Sequence, residues 1–296
     1  MNQIDKGDDM QQAMKMMFIG WNENGEKCLQ TLLDKSYRFE QLVVPTGYDT
    51  EPMKRLASQH DLPVYEYAND LTALKDLVEK IQPDVILVAS FPKLLTADIL
   101  ALPKYGVINV HTGELPKYRG FHPLNWAIIR DEARIGVTVH YMDVGMDTGD
   151  VLAQGTVDMN HDDDIVSIKE KTTTLGAELL GGVVDDLVTR NAKLIGRQQR
   201  DSQALFAPKR GPADGRIKWT NTSRDIFNMV RALVDPYPNA FALDSQGQEV
   251  RLKKAVVYGD VGKVLAQVDG AYLISTGDGV ILVKTDRQLA VGERLQ

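Results

Sequence analysis

The stretch "DVILVASFPKLLTADILALPKYGVINVH", residues 84–111, decides the fold. "DVILVAS" and "YGVINVH" are continuous apolar runs, the pattern of central strands covered on both faces. "FPKLL" between them reads as the packing of a helix start. Upstream, "MKMMFIGW" is a short apolar run stopping at Gly20, and "GEKCLQTLLDK" spaces Cys28, Leu29, Leu32 and Leu33 on one helical face. "FEQLVVPT", "TEPMKRLASQHDL", "PVYEY" and "DLTALKDLVEKIQ" repeat the alternation. Strands alternating with helices of this length imply right-handed crossovers and a parallel sheet. The expectation is a doubly wound α/β domain over residues 14–200.

Outside that block the character changes. Residues 1–13 have no period and read as a disordered extension. "ALFAPKRGPADGRIKW", rich in Pro, Gly and Arg, reads as part of a surface linker over 201–220. A helix, "SRDIFNMVRAL", then leads "EVRLKKAVVY", "GKVLAQV" and the pair "AYLIST" and "VILVKT" joined by "GDG", a hairpin turn sequence. Residues 221–296 are expected to form a small, mainly antiparallel β domain.

With 43% hydrophobic and 25% charged residues among 296, the composition is that of an ordinary globular protein. A formal net charge of −7 argues against a broad nucleic-acid footprint. The single cysteine, Cys28, excludes an internal disulfide and a multi-cysteine zinc site, and reads as a core residue. No run of about 18 apolar residues and no secretory signal are visible, so a cytoplasmic protein with no membrane partner is expected.

Ligands of open parallel sheets bind outside the carboxyl ends of the strands, where "YGVINVH" ends. Alternation puts Asn109 and His111 on one side and Val110 on the other. The pair alone is better explained as a turn-forming amide and a hydrogen-bonded strand-end histidine. "VHYMDVGMDTGDVL" then breaks from strand alternation into a loop holding Asp143, Asp147 and Asp150, of which Asp143 and Asp150 read as turn formers. "GWNENG" fits neither a dinucleotide fingerprint nor a P-loop. In "HDDDIVSIKEK" the carboxylates beside His161 read as helix capping, not a metal site. His122 is expected at a cleft rim and Trp126 packed on a helix; His60 and His140 have no partner that sequence identifies.

"NVHTGELPKYRGFHPLNWAI" and "GVTVHYMDVGMDTGDVLAQ" together resemble the signature of formyltransferases that use N10-formyltetrahydrofolate. The resemblance implies a Rossmann-like catalytic domain followed by an OB-like β domain. It implies a catalytic Asn, His and Asp at Asn109, His111 and Asp147. For acyl transfer to an amine, an amide N–H can stabilise the oxyanion. An imidazole can take a proton from the amine and return one to the leaving nitrogen, and a carboxylate can orient that imidazole. The folate pocket maps to Phe91, Pro92, Leu94 and Leu95, and to Asp143, Val144, Gly145 and Met146; Lys93 reads as helix-start packing. No metal is implied.

The family's amine substrates include methionyl-tRNA, nucleotide-linked amino sugars and glycinamide ribonucleotide; enzymes of the last kind have a single domain, so the β domain counts against them. The tRNA enzymes carry a long basic loop after the second strand, where this chain has the short "VVPTGYDTEPMKRLAS". Lys117 and Arg119 in "PKYRG", and Lys209 and Arg210 in "PKRGPADG", are candidate diphosphate contacts. "MVRALVDPYPNAF" is also similar to the interdomain stretch of the enzyme that formylates an amino-arabinose nucleotide, and the tRNA enzymes carry a related one. The expectation is formylation of a nucleotide-linked amino sugar (dTDP-, UDP- or GDP-linked) for surface polysaccharide such as lipopolysaccharide O-antigen. Methionyl-tRNA is the alternative substrate, a folate- or nucleotide-binding protein without turnover the alternative class, and a homodimer the assembly expected by analogy.

Overall fold

The computed structural model describes residues 14–257, 270–276 and 280–289; the expected disordered extension, "GKVLAQV" and the "GDG" turn lie outside them. Strands and helices alternate as β1 (Met16–Gly20), α1 (Asn22–Asp34), β2 (Gln41–Pro45), α2 (Glu51–Gln59), β3 (Val64–Tyr67), α3 (Leu71–Ile81), β4 (Val85–Ala89), α4 (Ala97–Leu100) and β5 (Val107–His111). Then come β6 (Lys117–Gly120), α5 (Pro123–Ile129), β7 (Arg134–Tyr141), β8 (Val151–Asp158) and α6 (Ile165–Arg190).

The central sheet has seven strands in the order β3-β2-β1-β4-β5-β7-β8. The pairings from β3 to β5 are parallel, as the alternation predicts. Period-2 geometry splits the core between two helical layers. Phe18, Leu87 and Ile108 pack with Leu29 and Leu32 of α1 and Leu180, Val184 and Leu187 of α6. Their neighbours Met17, Ile19 and Val88 pack on the other face with Leu74 and Val78 of α3. Each such fully buried side chain contributes roughly 1.5–3 kcal/mol. Cys28 belongs to the first layer, where burial pushes its thiol up to about 12.

One departure from a wholly parallel sheet shapes the site. β5 pairs antiparallel with β7, and β7 with β8. A parallel step needs a crossover that carries the chain back across the sheet. Here β6 and the seven-residue α5 follow β5, and the chain re-enters the sheet in the opposite direction. The β7–β8 connection, with Asp143 and Asp147, therefore leaves the strand that pairs with β5, while β8 lies one strand further out. α6 starts at a capping box: Asp164 accepts from the Val166 and Ser167 amides, and the Ser167 hydroxyl accepts from the Asp164 N–H, which is the capping role expected of that acidic stretch.

The segment read as a linker carries β9 (Leu205–Ala207), parallel to β6; three residues are too few for alternation to show. α7 (Ser223–Arg231), β10 (Ala240–Leu243), β11 (Glu249–Leu252), β12 (Lys254–Val257), β13 (Ala271–Ser275) and β14 (Val280–Lys284) follow. They form the antiparallel pair β10-β11 and the antiparallel sheet β12-β14-β13. A second core joins this region to the first: Leu124, Ile128, Ile135, Ile165 and Ile168 pack in one cluster with Ile226, Val230, Leu252, Ile281 and Val283. Among the described residues no helix is long and apolar enough to cross a membrane.

Candidate active site

Strand order reverses between β1 and β4, and ligands of open α/β sheets bind at such a switch, over the carboxyl ends of the strands. A cleft of about 530 Å³ opens there, lined by Trp21, Asn22 and Asn24 after β1, Ser90 to Leu94 after β4, Asn109 and His111 on β5, and Met146 and Asp147 of the β7–β8 loop. Tyr48, Gly120 to Pro123 and Lys209 also line it. Another groove, of about 450 Å³ between α1 and α6, is lined mainly by charged and polar side chains, among them the ion pair of Lys169 and Glu23 at 2.6 Å.

At the cleft floor the β5–β7 register sets Asn109 opposite His140, and His111 opposite Thr138. His111 is 8% exposed and His140 1%. His111 Nε2 lies 2.8 Å from the Tyr118 carbonyl oxygen. A carbonyl only accepts, so Nε2 carries the proton and donates. Nδ1 of the neutral ring is left with a lone pair, 3.6 Å from Asp147 Oδ2. Gly113 keeps this arrangement open, since a Cβ there would sit 2.6 Å from His111 Nε2.

Asp147 is held at several points. Its backbone is left-handed, with φ of 56°, and Oδ2 accepts from the Gly120 N–H at 2.9 Å. Two residues on, Gly149 passes so close to the end of β7 that a Cβ would lie 1.9 Å from the Tyr141 carbonyl oxygen. Gln199 clamps the loop: Nε2 donates to the Asp147 and Gly149 carbonyls at 2.9 and 2.7 Å. Gln199 Oε1 accepts from Arg119 Nε and Nη2 at 3.0 and 2.9 Å. Gln199 is 8% exposed, so Gln199→Leu removes the partner of Arg119 Nε and Nη2 and of two carbonyls, at roughly 1–3 kcal/mol for each group left unsatisfied. We expect a clearly lower urea midpoint and a lower kcat from a loosened Asp147 loop. An unchanged midpoint would mean that the loop is held without Gln199.

The structure brings Asn109, His111 and Asp147 to one cleft. It places Phe91, Pro92, Leu94 and Met146 on that cleft's wall, together with Lys93, expected only as packing, and His122, expected at the rim. Burial pushes the His122 imidazole down, aided by the Arg210 and Lys209 charges. Leu95 is a correction: it is 3% exposed and belongs to the core on the α3 side of the sheet. Asp143, Val144 and Gly145 shape the loop and do not line the cleft. Asp143 Oδ1 accepts from the Gly145 N–H at 3.0 Å and from the Thr148 hydroxyl, while Val144 is 70% exposed.

Of the four candidate phosphate contacts, Lys209 alone lines the cleft. Arg119 is buried with its fork committed to Gln199 and Asp201. Arg210 lies over the Trp126 ring and donates to the Asp214 carbonyl, and Lys117 is exposed on β6 away from the wall. Trp126 also donates from Nε1 to the Pro208 carbonyl, tying α5 to the segment after β9. Sequence reasoning missed His140, Gln199 and the cleft residues Trp21, Asn22, Asn24 and Tyr48. The signal for His140 is that Thr138 and His140 alternate on β7 as Asn109 and His111 do on β5.

An amide, an imidazole and a carboxylate converge in this cleft on a doubly wound sheet, the groups that acyl transfer to an amine can use. Residues 47–184 match the family described as Formyl transferase, and residues 210–295 match Formyl transferase, C-terminal domain. Methionyl-tRNA formyltransferases of Geobacter sulfurreducens and Citrifermentans bemidjiense are 32% and 34% identical, each over 96% of this chain and over 92% and 91% of their own lengths. The chain belongs to the formyl transferase family and is a folate-dependent N-formyltransferase.

Among solved structures it is similar to an N-formyltransferase from Helicobacter canadensis in complex with folinic acid and dTDP-3-aminofucose. That match has a TM-score of 0.74 at 18% identity and covers 92% of this chain and 99% of that one. HypX from Aquifex aeolicus gives a TM-score of 0.65 at 22% identity over 91% of this chain, which spans 43% of HypX. At these identities the likeness is one of fold.

Proposed function

We propose that this chain transfers a formyl group from N10-formyltetrahydrofolate to the amine of a nucleotide-linked amino sugar, a reaction that would serve surface polysaccharide. The observation that carries the choice of acceptor is the β2–α2 connection. Only residues 46–50, "TGYDT", join β2 to α2. They hold no Lys or Arg, and Tyr48 is folded against Trp21 with ring centroids 4.2 Å apart. The cleft wall thus ends in an aromatic pair where a tRNA acceptor arm would call for a basic one. Lys209, on the wall without an ion pair among the described residues, can meet a diphosphate as a point charge.

The cleft's chemistry fits the cosubstrate. Phe91, Pro92, Leu94 and Met146 offer an apolar face to a flat pterin, beside the polar floor. When bound, the folate supplies an activated formyl carbon. Asn109 Nδ2 donates to the formyl oxygen as the amine adds and negative charge develops there. His111 Nδ1, the ring nitrogen with the lone pair, takes the proton that the amine sheds as its N–C bond forms. Asp147 Oδ2, at 3.6 Å, stabilises the resulting imidazolium. The same proton returns to the folate nitrogen as its bond to the formyl carbon breaks. The Tyr118 carbonyl orients the ring; Asp147, fixed by the Gly120 amide, compensates its charge.

The second reading, methionyl-tRNA as acceptor, is favoured by the names of the relatives that match this chain nearly end to end. Purified protein with N10-formyltetrahydrofolate, a panel of nucleotide-linked amino sugars and methionyl-tRNA separates the two. Tetrahydrofolate release with a one-formyl mass gain on a sugar is the expected result. A gain on methionyl-tRNA alone would replace the acceptor and leave the cleft chemistry intact.

A further inference from the structure

We infer that His140 is a positioning residue: it accepts one N–H of the Asn109 amide at Nε2, fixing which way the amide faces and leaving its second N–H for the formyl oxygen. The inference rests on the formyl-transfer reading for the role of Asn109, though not for the geometry.

His140 Nδ1 lies 2.7 Å from the carbonyl oxygen of its own neighbour, Tyr141. That oxygen only accepts, so Nδ1 carries a proton, and the neutral ring must present Nε2 as an acceptor. Asn109 Nδ2 sits 3.1 Å from it. The amide oxygen and nitrogen of an asparagine are nearly the same size, and packing alone does not choose between the two flips. An acceptor at Nε2 does choose: the reversed flip would set two lone pairs against each other and turn the amide oxygen, a repulsive partner, toward a developing oxyanion. A charged His140 would select that wrong flip, because both ring nitrogens would then donate.

The groups facing His140 are Asp147, with Oδ1 3.7 Å from Nε2, and His111, edge-on with ring centroids 6.3 Å apart; Asp143 acts at longer range. Burial dominates over the attraction of Asp147 and drives the imidazole down to about 4. At neutral pH the ring is an uncharged acceptor, and Asp147 is left to His111.

Two measurements on the full chain decide the matter. Nitrogen-15 NMR of wild type at pH 7 should show the His140 ring as neutral with hydrogen on Nδ1, and one Asn109 side-chain amide proton slowed in exchange. In turnover, His140→Leu should lower kcat by about 10- to 100-fold, less than the 10²–10³ for deleting an oxyanion donor, with KM for both substrates little changed. His140→Gln, whose amide oxygen can accept, should restore most of the rate. In an Asn109→Ala background, His140→Leu should cost nothing further. A ring with hydrogen on Nε2, a cationic ring at pH 7, equal loss in the Leu and Gln variants, or full multiplicative loss in the double variant overturns the inference. If no amine is formylated the functional reading fails, while the ring tautomer and the Asn109 proton still test the positioning. If His140→Leu does not fold, the same two resonances in wild type and His140→Gln decide it.

Discussion

His111→Ala is expected to lower kcat for formyl transfer by about 10²–10⁴-fold, the range of a positioned general acid–base group. The loss follows from one atom. Nδ1 is the nitrogen of the neutral ring without a hydrogen, because Nε2 spends its proton on the Tyr118 carbonyl. Alanine leaves Asp147 Oδ2 with the Gly120 amide but with no imidazole to compensate. Folate affinity should change little, since Phe91, Leu94 and Met146 are untouched. Stopped-flow tetrahydrofolate release alongside equilibrium binding of a non-transferable folate separates the two effects. A kcat within threefold of wild type would remove His111 from the chemistry; a parallel collapse of folate binding would assign it to structure.

Why so much of this fold is legible from sequence lies in β1, β4 and β5. Strands buried on both faces have nothing to alternate, and their apolar runs stand out from the amphipathic helices between them. Direction and register are less legible. Whether β7 runs with or against β5 depends on where the chain emerges from β6 and α5, a three-dimensional matter with no local residue signature. Leu95 shows the same limit: in a run such as "FPKLL", Leu94 lines the cleft and Leu95 enters the core, and composition does not distinguish them.

The site divides in the same way. Period-2 spacing puts Asn109 and His111 on one side of a strand, but only the family resemblance makes them site candidates, and only it separates Asp147 from Asp143 and Asp150. His140 depends on the cross-strand register that pairs it with Asn109. Gln199 depends on a long-range return, 52 residues from the Asp147 carbonyl it binds. An arginine in the stretch after β5 suits a phosphate equally well on paper; in the structure Arg119 is buried, with its guanidinium bonded to Gln199 and Asp201.

Acid should expose His140 through stability as well as rate. Its ordinary value of 6.5 falls to about 4 in the folded chain, chiefly because burial penalises the charged ring, against the attraction of Asp147. Between those values the unfolded chain binds the proton and the folded chain does not, so folding stability drops as pH falls through that window. Above 6.5 the residue contributes no pH dependence. The full effect is at most roughly 3 kcal/mol, from 1.36 kcal/mol per pH unit of displacement. Carboxylates held low by partners, such as Asp131 beside Arg224 and Asp185 beside Lys35, also lose stability in acid. They are common to wild type and His140→Gln, so they cancel in the difference. Urea unfolding of both proteins from pH 7 to pH 4 should therefore show wild type losing more stability than the variant, with the gap opening below pH 6.5. Parallel curves would mean that His140 takes up its proton in the folded chain as readily as in the unfolded one, and that the Asn109 amide is oriented by something other than a neutral ring.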